Sequence, residues 1–313
     1  MKILIVGLGT IGTLYGWAFS QAGLDVIHLL KDGRIEKYRH GIQLDIYDLR
    51  PKGLQQHLTT YKPQCITEAQ LNDEFHLVII PTKSYQLIST IKQLKDKLTH
   101  AVFLIFCAFW GELSVIDALL PRERYLFGYA GSTGGYGNNA MMLNIKEKYR
   151  IGPYAQQICK SLQPVIDIFS QANFKADLKQ DMLAWLWTHH AIVAGLMGTS
   201  LYAGLDNVFE NPIFINKLIP AVREALSVVQ KRGVNLEHDA EAKLFLQQDA
   251  KKAFTDFYES YFRDKAGQRA LQHGHHQYAK EEMKQFYLDV VNTGEILGVA
   301  MPILTSFKDK LCN

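Results

Sequence analysis

The chain opens with an apolar run that passes straight into three spaced glycines: Ile3-Leu4-Ile5-Val6, then Gly7-Leu8-Gly9-Thr10-Ile11-Gly12. A short run rich in β-branched residues reads as a strand buried on both faces. Each glycine then has its own task. Gly7 permits the tight turn, Gly9 lets the backbone approach a pyrophosphate, and Gly12 lets the following helix pack on the strand. That helix starts near Thr10 and runs on through Leu14, Trp17 and Ala18. Its first N–H groups and its dipole favour an anion. Strand, turn and helix in this order predict a dinucleotide site.

The end of the second strand sets which dinucleotide is expected. Asp25-Val26-Ile27-His28-Leu29-Leu30 reads as that strand, after a helix closed by Gly23. An NAD site usually ends this strand in an acid that holds the ribose 2′-hydroxyl. Here the position is Leu30, followed by Lys31, with Arg34 in reach. A fixed cation there suits the 2′-phosphate of NADP(H). Asp32 lies about 20 residues past Gly12, where the motif expects its acid, but it falls beyond the strand end and is expected to point elsewhere.

With 313 residues the chain can form two domains with sizeable cores. It is 48% apolar and 21% charged, with a formal net charge of +3, as expected for a soluble globular protein. No basic run or recognition motif points to nucleic acid. The longest apolar stretch, Ala101–Trp110, is too short to span a bilayer and reads as a buried strand. The N-terminal apolar run is broken at once by Gly7 and Gly9, unlike a signal peptide. Cys65, Cys107, Cys159 and Cys312 show no metal spacing and fit reduced thiols in a cytoplasmic protein.

Strand-like runs alternate with helical patterns through the first half. Phe75–Ile80 is followed by Pro81-Thr82-Lys83, a helix from Ser84 to Leu98, Val102–Phe106, a short helix and Tyr125–Gly128. This rhythm predicts a mostly parallel sheet with helices on both faces, an α/β Rossmann-type domain. Ligands on such sheets sit beyond the carboxyl ends of the strands. That places Gly7–Gly12, Pro81–Lys83 and Cys107–Gly111 together. The glycine-rich stretch Gly128–Gly137 reads equally as a further lining segment or as a tight hairpin. From Gln180 onward the periods are helical. Asn211-Pro212 opens a helix, Ile215, Leu218, Val222, Leu226 and Val229 mark its apolar face, and Lys231-Arg232-Gly233 closes it. Asp239–Phe262 and Gln277–Leu297 read as further helices. The expected division is a Rossmann domain over 1–178 and an all-α domain over 179–313, with a cleft between them.

The chain resembles the ketopantoate reductase (2-dehydropantoate 2-reductase) family. The resemblance rests on Gly7-Leu8-Gly9-Thr10-Ile11-Gly12, on Lys31 after strand two, on Thr82-Lys83 after strand three, and on Glu282, counted back from Gly298. Trp185-Leu186-Trp187 is similar to the helix that enters the family's second domain. The resemblance implies reduction of a 2-oxo acid by NADPH, ketopantoate to pantoate or a related pair, with pantothenate biosynthesis as the setting if ketopantoate is the substrate. It implies cofactor contacts from Gly7, Leu8, Gly9, Thr10, Ile11, Gly12, Lys31, Thr82, Lys83 and Ala108. It also implies a homodimer through the helical domain.

Three features depart from the family pattern. The Asn-Gly-x-Gly loop after strand four is Ala108-Phe109-Trp110-Gly111, so only Gly111 matches. The catalytic lysine, in register from Leu186-Trp187, is His189. The substrate-binding asparagines fall at Val193 and Met197. Loss of these amides implies a changed substrate preference. His189 can act as general acid, since an imidazolium gives up its proton readily near neutral pH; the alternative is a core histidine bonded to a carbonyl. His190 faces roughly 100° away on the helix. Glu282 is expected to meet a substrate hydroxyl or orient the histidine. Trp110 either stacks near the nicotinamide or simply packs. His273-Gly274-His275-His276 is the densest histidine cluster, but no metal is expected, because the spacing of a metal motif is missing; His276 fits a contact at the cleft edge better. The reading from another class is an NADP(H)-binding redox-responsive regulatory module without catalysis.

Overall fold

The computed structural model describes residues 1–51, 56–137, 139–154, 160–204, 211–273 and 280–311. They form two compact units, Met1–Leu183 and Ala184–Asn313.

The first unit opens as the sequence predicts, with β1 (Lys2–Val6), α1 (Thr10–Gln21) and β2 (Asp25–Leu29). Leu30, expected to end β2, lies just past it. β3 (Ile42–Asp48), β4 (His57–Tyr61) and β5 (Gln64–Ile66) follow. Then come β6 (Leu77–Ile80), α2 (Ser84–Leu94), β7 (Val102–Ile105), α3 (Leu113–Asp117) and β8 (Tyr125–Tyr129). The unit closes with β9 (Thr133–Tyr136), β10 (Met141–Ile145), β11 (Lys148–Gly152), α4 (Leu162–Gln171) and β12 (Lys175–Leu178).

The main sheet has eight strands in the order β12-β11-β8-β7-β6-β1-β2-β5. All neighbours pair in parallel except β8 with β11. Ile3, Leu4 and Ile5 are fully buried at its centre. Each such side chain contributes roughly 1.5–3 kcal/mol relative to an exposed one, so an aspartate at Ile5 would disrupt this unit. α2 ends at Leu94, one turn earlier than expected. Leu98 still reaches the core from a turn whose N–H bonds to the Leu94 carbonyl.

A second sheet, in the order β4-β3-β10-β9, is absent from the sequence reading. β3 alternates: Leu44 and Ile46 are buried, while Gln43 is exposed. β10 pairs with β3 in parallel and with β9 antiparallel. The glycine-rich stretch is therefore strand and hairpin, closed by the Gly137 N–H donating to the Ala140 carbonyl at 2.9 Å. It also reaches the Gly7–Gly12 turn. A Cβ on Gly134 would lie 2.7 Å from Thr10 Cγ2 and 2.4 Å from the Met142 carbonyl oxygen.

The helical part begins with α5 (Met182–Ala203), whose first two residues belong to the first unit. It continues with α6 (Pro212–Lys231), α7 (Ala240–Leu246), α8 (Ala250–Arg263), α9 (Lys265–His273), α10 (Lys280–Ile296), α11 (Pro302–Thr305) and α12 (Lys308–Leu311). α6 starts as read: the Asn211 side chain accepts from the Ile213 N–H at 2.9 Å, and proline follows the cap. Gly233, at φ +93°, lies just past its end. The single helix expected over Asp239–Phe262 is two helices. Arg223 explains the break, because its guanidinium donates to the carbonyls of Phe245 and Gln247, each at 2.8 Å. Those carbonyls need no further helical N–H. No helix among the described residues is long and apolar enough to cross a membrane.

Candidate functional site

The three glycines of the turn are explained by three different surroundings. Gly7 sits at φ +87°, a backbone that favours glycine. Gly9 caps α1 in an extended conformation, and a Cβ there would meet nothing within 4 Å. Gly12 is the tight one: its Cβ would lie 2.9 Å from the Gly7 carbonyl oxygen and 3.3 Å from Ile5 Cγ2. Leu8 is buried and Ile11 packs against the core, so Gly9 is left as the open face of the turn. This is the shape a pyrophosphate requires.

Register brings the other candidates to the same sheet end. Ile5 pairs with Ile79, and Ile80 with Ile105. The segments after β6 and β7 therefore leave beside Gly7–Gly12. Thr82, the second residue past β6, has a buried hydroxyl with no hydrogen-bond partner. Such a group costs about 1–3 kcal/mol unless something satisfies it, and a bound nucleotide would do so. Lys83 caps α2 and is half-buried. Ala108 is half-buried after β7, and Trp110 is buried. Lys31 is exposed at the carboxyl end of β2 and forms a turn with Arg34, whose N–H donates to the Lys31 carbonyl. Asp32 is also exposed.

In the helical unit, α5 presents two histidines to two carboxylates. His189 Nδ1 lies 2.8 Å from Glu241 Oε2, in the first turn of α7. Its ring stacks on Trp185 one turn earlier, at 4.8 Å and 16°. His189 and Glu241 are both partly exposed, at 21% and 31%. His190 is fully buried: its Nε2 lies 3.3 Å from Asp289 Oδ2 on α10, and its ring is 4.3 Å from that of Phe286. Gln285 donates to the other oxygen of Asp289 at 2.7 Å. Burial holds the His190 pKa below its ordinary value, against the pull of Asp289. The Arg232 guanidinium carbon lies over the Trp187 ring, 3.4 Å from its centroid.

Glu282 is half-buried in the first turn of α10, and Val193 and Met197 are half-buried on α5. Sequence reasoning missed Glu241. Nothing local marks it, since an acid in the first turn of a helix is ordinary. His275 and His276 lie outside the described residues, as does the side chain of His273. Among the described residues no group of three or more acidic, cysteine or histidine side chains could hold a metal. Cys65 is a free thiol, Cys107 is buried, and Cys159 and Cys312 lie outside the described residues.

The chain is similar to several known proteins. A 2-dehydropantoate 2-reductase of Pyrococcus abyssi is 22% identical over 247 residues, covering 76% of each chain. The solved structure of D-mandelate dehydrogenase with NADH and anilino(oxo)acetate superposes with a TM-score of 0.74 at 15% identity, covering all of both chains. The 2-dehydropantoate 2-reductase of Porphyromonas gingivalis gives 0.68 at 14% identity, covering all of this chain and 99% of its own. These two likenesses show a shared fold. The model of the family described as ketopantoate reductase PanE/ApbA matches residues 3–155, so the first part of the chain carries a domain similar to that family's.

Proposed function

We propose that the protein is an NADPH-dependent reductase that converts a 2-oxo acid to the 2-hydroxy acid. The turn Gly7–Gly12 holds the pyrophosphate, with Thr82, Lys83 and Ala108 beside it. Lys31 supplies the cation for the 2′-phosphate. The bound nicotinamide supplies a hydride for the carbonyl carbon. His189 supplies the proton for the carbonyl oxygen, so one hydride and one proton are added and the nucleotide is oxidised.

The observation that carries an enzyme over a non-catalytic binding module is the 2.8 Å pair of His189 and Glu241. A carboxylate on Nδ1 fixes the orientation of the ring. That leaves Nε2 as the ring nitrogen that can deliver a proton. This pair stands at the position where the resemblance expects a lysine. A relative crystallised with NADH and an anilino(oxo)acetate supports the same substrate class. Val193 and Met197 stand where the resemblance expects asparagines. They favour a 2-oxo acid with an apolar side chain over the hydroxylated ketopantoate, because they cannot bond to its hydroxyl.

The test is nucleotide oxidation by the full chain with ketopantoate, phenylglyoxylate and 2-oxoisovalerate, each with NADPH and with NADH. Turnover is expected with NADPH, fastest with an apolar acid. His189→Ala is expected to lower kcat about 10²–10⁴-fold and to leave NADPH binding intact. Tight NADPH binding without turnover on any acid would favour the binding module instead.

A further inference from the structure

A buried polar pair stands directly behind the glycine turn, and the reaction above does not use it. His28, in β2, is wholly buried. Its Nδ1 lies 2.9 Å from the Gly7 carbonyl oxygen, and its Nε2 lies 3.0 Å from the Tyr61 hydroxyl. A carbonyl can only accept, so Nδ1 carries the proton and donates it. Nε2 is then the acceptor, and Tyr61 donates to it. The Tyr61 hydroxyl also lies 3.5 Å from Ser20 Oγ. Burial pushes the His28 pKa down to about 4, so the ring is neutral near pH 7.

The helix above makes room for this ring. A Cβ on Gly16 would lie 2.3 Å from His28 Nε2 and 2.9 Å from the Tyr61 hydroxyl. Val26, Ile27 and Leu29, the neighbours of His28 in β2, are apolar and buried, and an apolar residue could fill position 28 without needing polar partners. The polar ring therefore calls for a reason. Gly7 provides one: its N–H donates to the Leu29 carbonyl at 2.9 Å, so β2 holds both backbone polar groups of Gly7. A trans peptide points its N–H opposite to its C=O. Pinning the Gly7 carbonyl towards β2 thus turns the Leu8 N–H away from β2.

We propose that His28 is a positioning residue of the dinucleotide site: by holding the Gly7 carbonyl it sets the Gly7–Leu8 peptide in the orientation that receives a nucleotide pyrophosphate. Tyr61 acts behind it by fixing the ring tautomer. The proposal rests on the reading that Gly7–Gly12 binds a nicotinamide dinucleotide.

The experiment measures NADPH affinity calorimetrically for the full chain and its variants. His28→Phe keeps a ring and removes the donor; its Kd for NADPH is expected to rise about tenfold, near the value of one hydrogen bond. In turnover the loss should appear in KM for NADPH more than in kcat. His28→Asn, whose amide nitrogen falls near the place of Nδ1, should recover most of the affinity. The His28 Nδ1–H resonance of the wild type should shift when NADPH is added, which a purely structural ring would not show. A folded His28→Phe protein that binds NADPH as the wild type does overturns the proposal. If that variant does not fold, Tyr61→Phe takes its place: a rise of about threefold supports the proposal, and an unchanged Kd overturns it. A wild type that binds no NADPH removes the dinucleotide reading and the proposal together, whereas a binding wild type with indifferent variants removes the proposal alone.

Discussion

In the sheet unit the polar groups that shape the candidate site belong mainly to the backbone. Gly7, Gly9 and Gly12 present a turn, and its neighbours either press on it or leave it open. In the helical unit the polar groups are side chains: His189 with Glu241, and His190 with Asp289, reach across between helices. A backbone site is held by close packing where the chain is crowded, as at Gly12, so there it tolerates almost no added volume. A side-chain site is held by charge and hydrogen bonds, so it responds to the chemistry of one atom. The two kinds of site should therefore fail differently.

Acid offers the largest contrast. The neutral form of His28 is favoured in the folded chain, where its pKa is about 4, against about 6.5 in an unfolded one. Between these values the unfolded chain binds a proton that the folded chain does not. Stability contributed by His28 is thus complete above about pH 6.5 and is lost as the pH falls towards 4, by roughly 3 kcal/mol in total. His190, also lowered by burial, acts in the same direction. Urea unfolding from pH 7 to 4 should show this fall. His28→Phe should flatten it, leaving the slope that comes from His190 and, near pH 4, from the carboxylates of Glu68, Asp73, Glu74 and Asp117, which hydrogen bonds hold below their ordinary range. A His28→Phe protein with an unchanged slope would mean that the sheet unit does not hold its histidine neutral.

Gly16→Ala tests the packing side of the comparison. The new methyl group would meet a buried imidazole and a buried hydroxyl at less than van der Waals distance. Neither is the loose end of a flexible chain. A loss of about 2 kcal/mol in unfolding free energy is expected, with weaker NADPH binding as the turn shifts. Gly9→Ala is the control, because its Cβ enters open space. It should cost far less stability while blocking the approach of a pyrophosphate. Equal losses of stability in the two variants would erase the distinction between a packed and an open glycine.

The same contrast explains which parts were legible in the sequence. The turn is readable because its spacing is local, with all three glycines within six residues of one another. Asn211, Pro212 and Gly233 are readable for the same reason. The second sheet is harder. The alternation of Ile42, Leu44 and Ile46 is a period-two signal, but its partner β10 lies far along the chain. The break between α7 and α8 depends on Arg223, a residue of another helix. His28 looks like any strand residue until Tyr61 and Gly16 are brought to it. Glu241 is hidden in the same way, because its meaning comes only from His189.

Glu241→Gln is expected to give the smallest effect and to isolate charge from shape. The amide keeps the length of the side chain and its oxygen can still accept from Nδ1. What is lost is the negative charge beside the ring. Both partners are partly exposed, so water screens the pair and the loss should be near 1 kcal/mol rather than the several of a buried pair. That corresponds to a fall of about fivefold in kcat for 2-oxo acid reduction near neutral pH. KM for NADPH should stay constant, since the nucleotide turn lies in the sheet unit. Unfolding free energy should change by no more than about 0.5 kcal/mol. A kcat identical to the wild type would show that Glu241 acts on His189 through position and not through its charge, and the helical unit would then resemble the sheet unit in working through position alone.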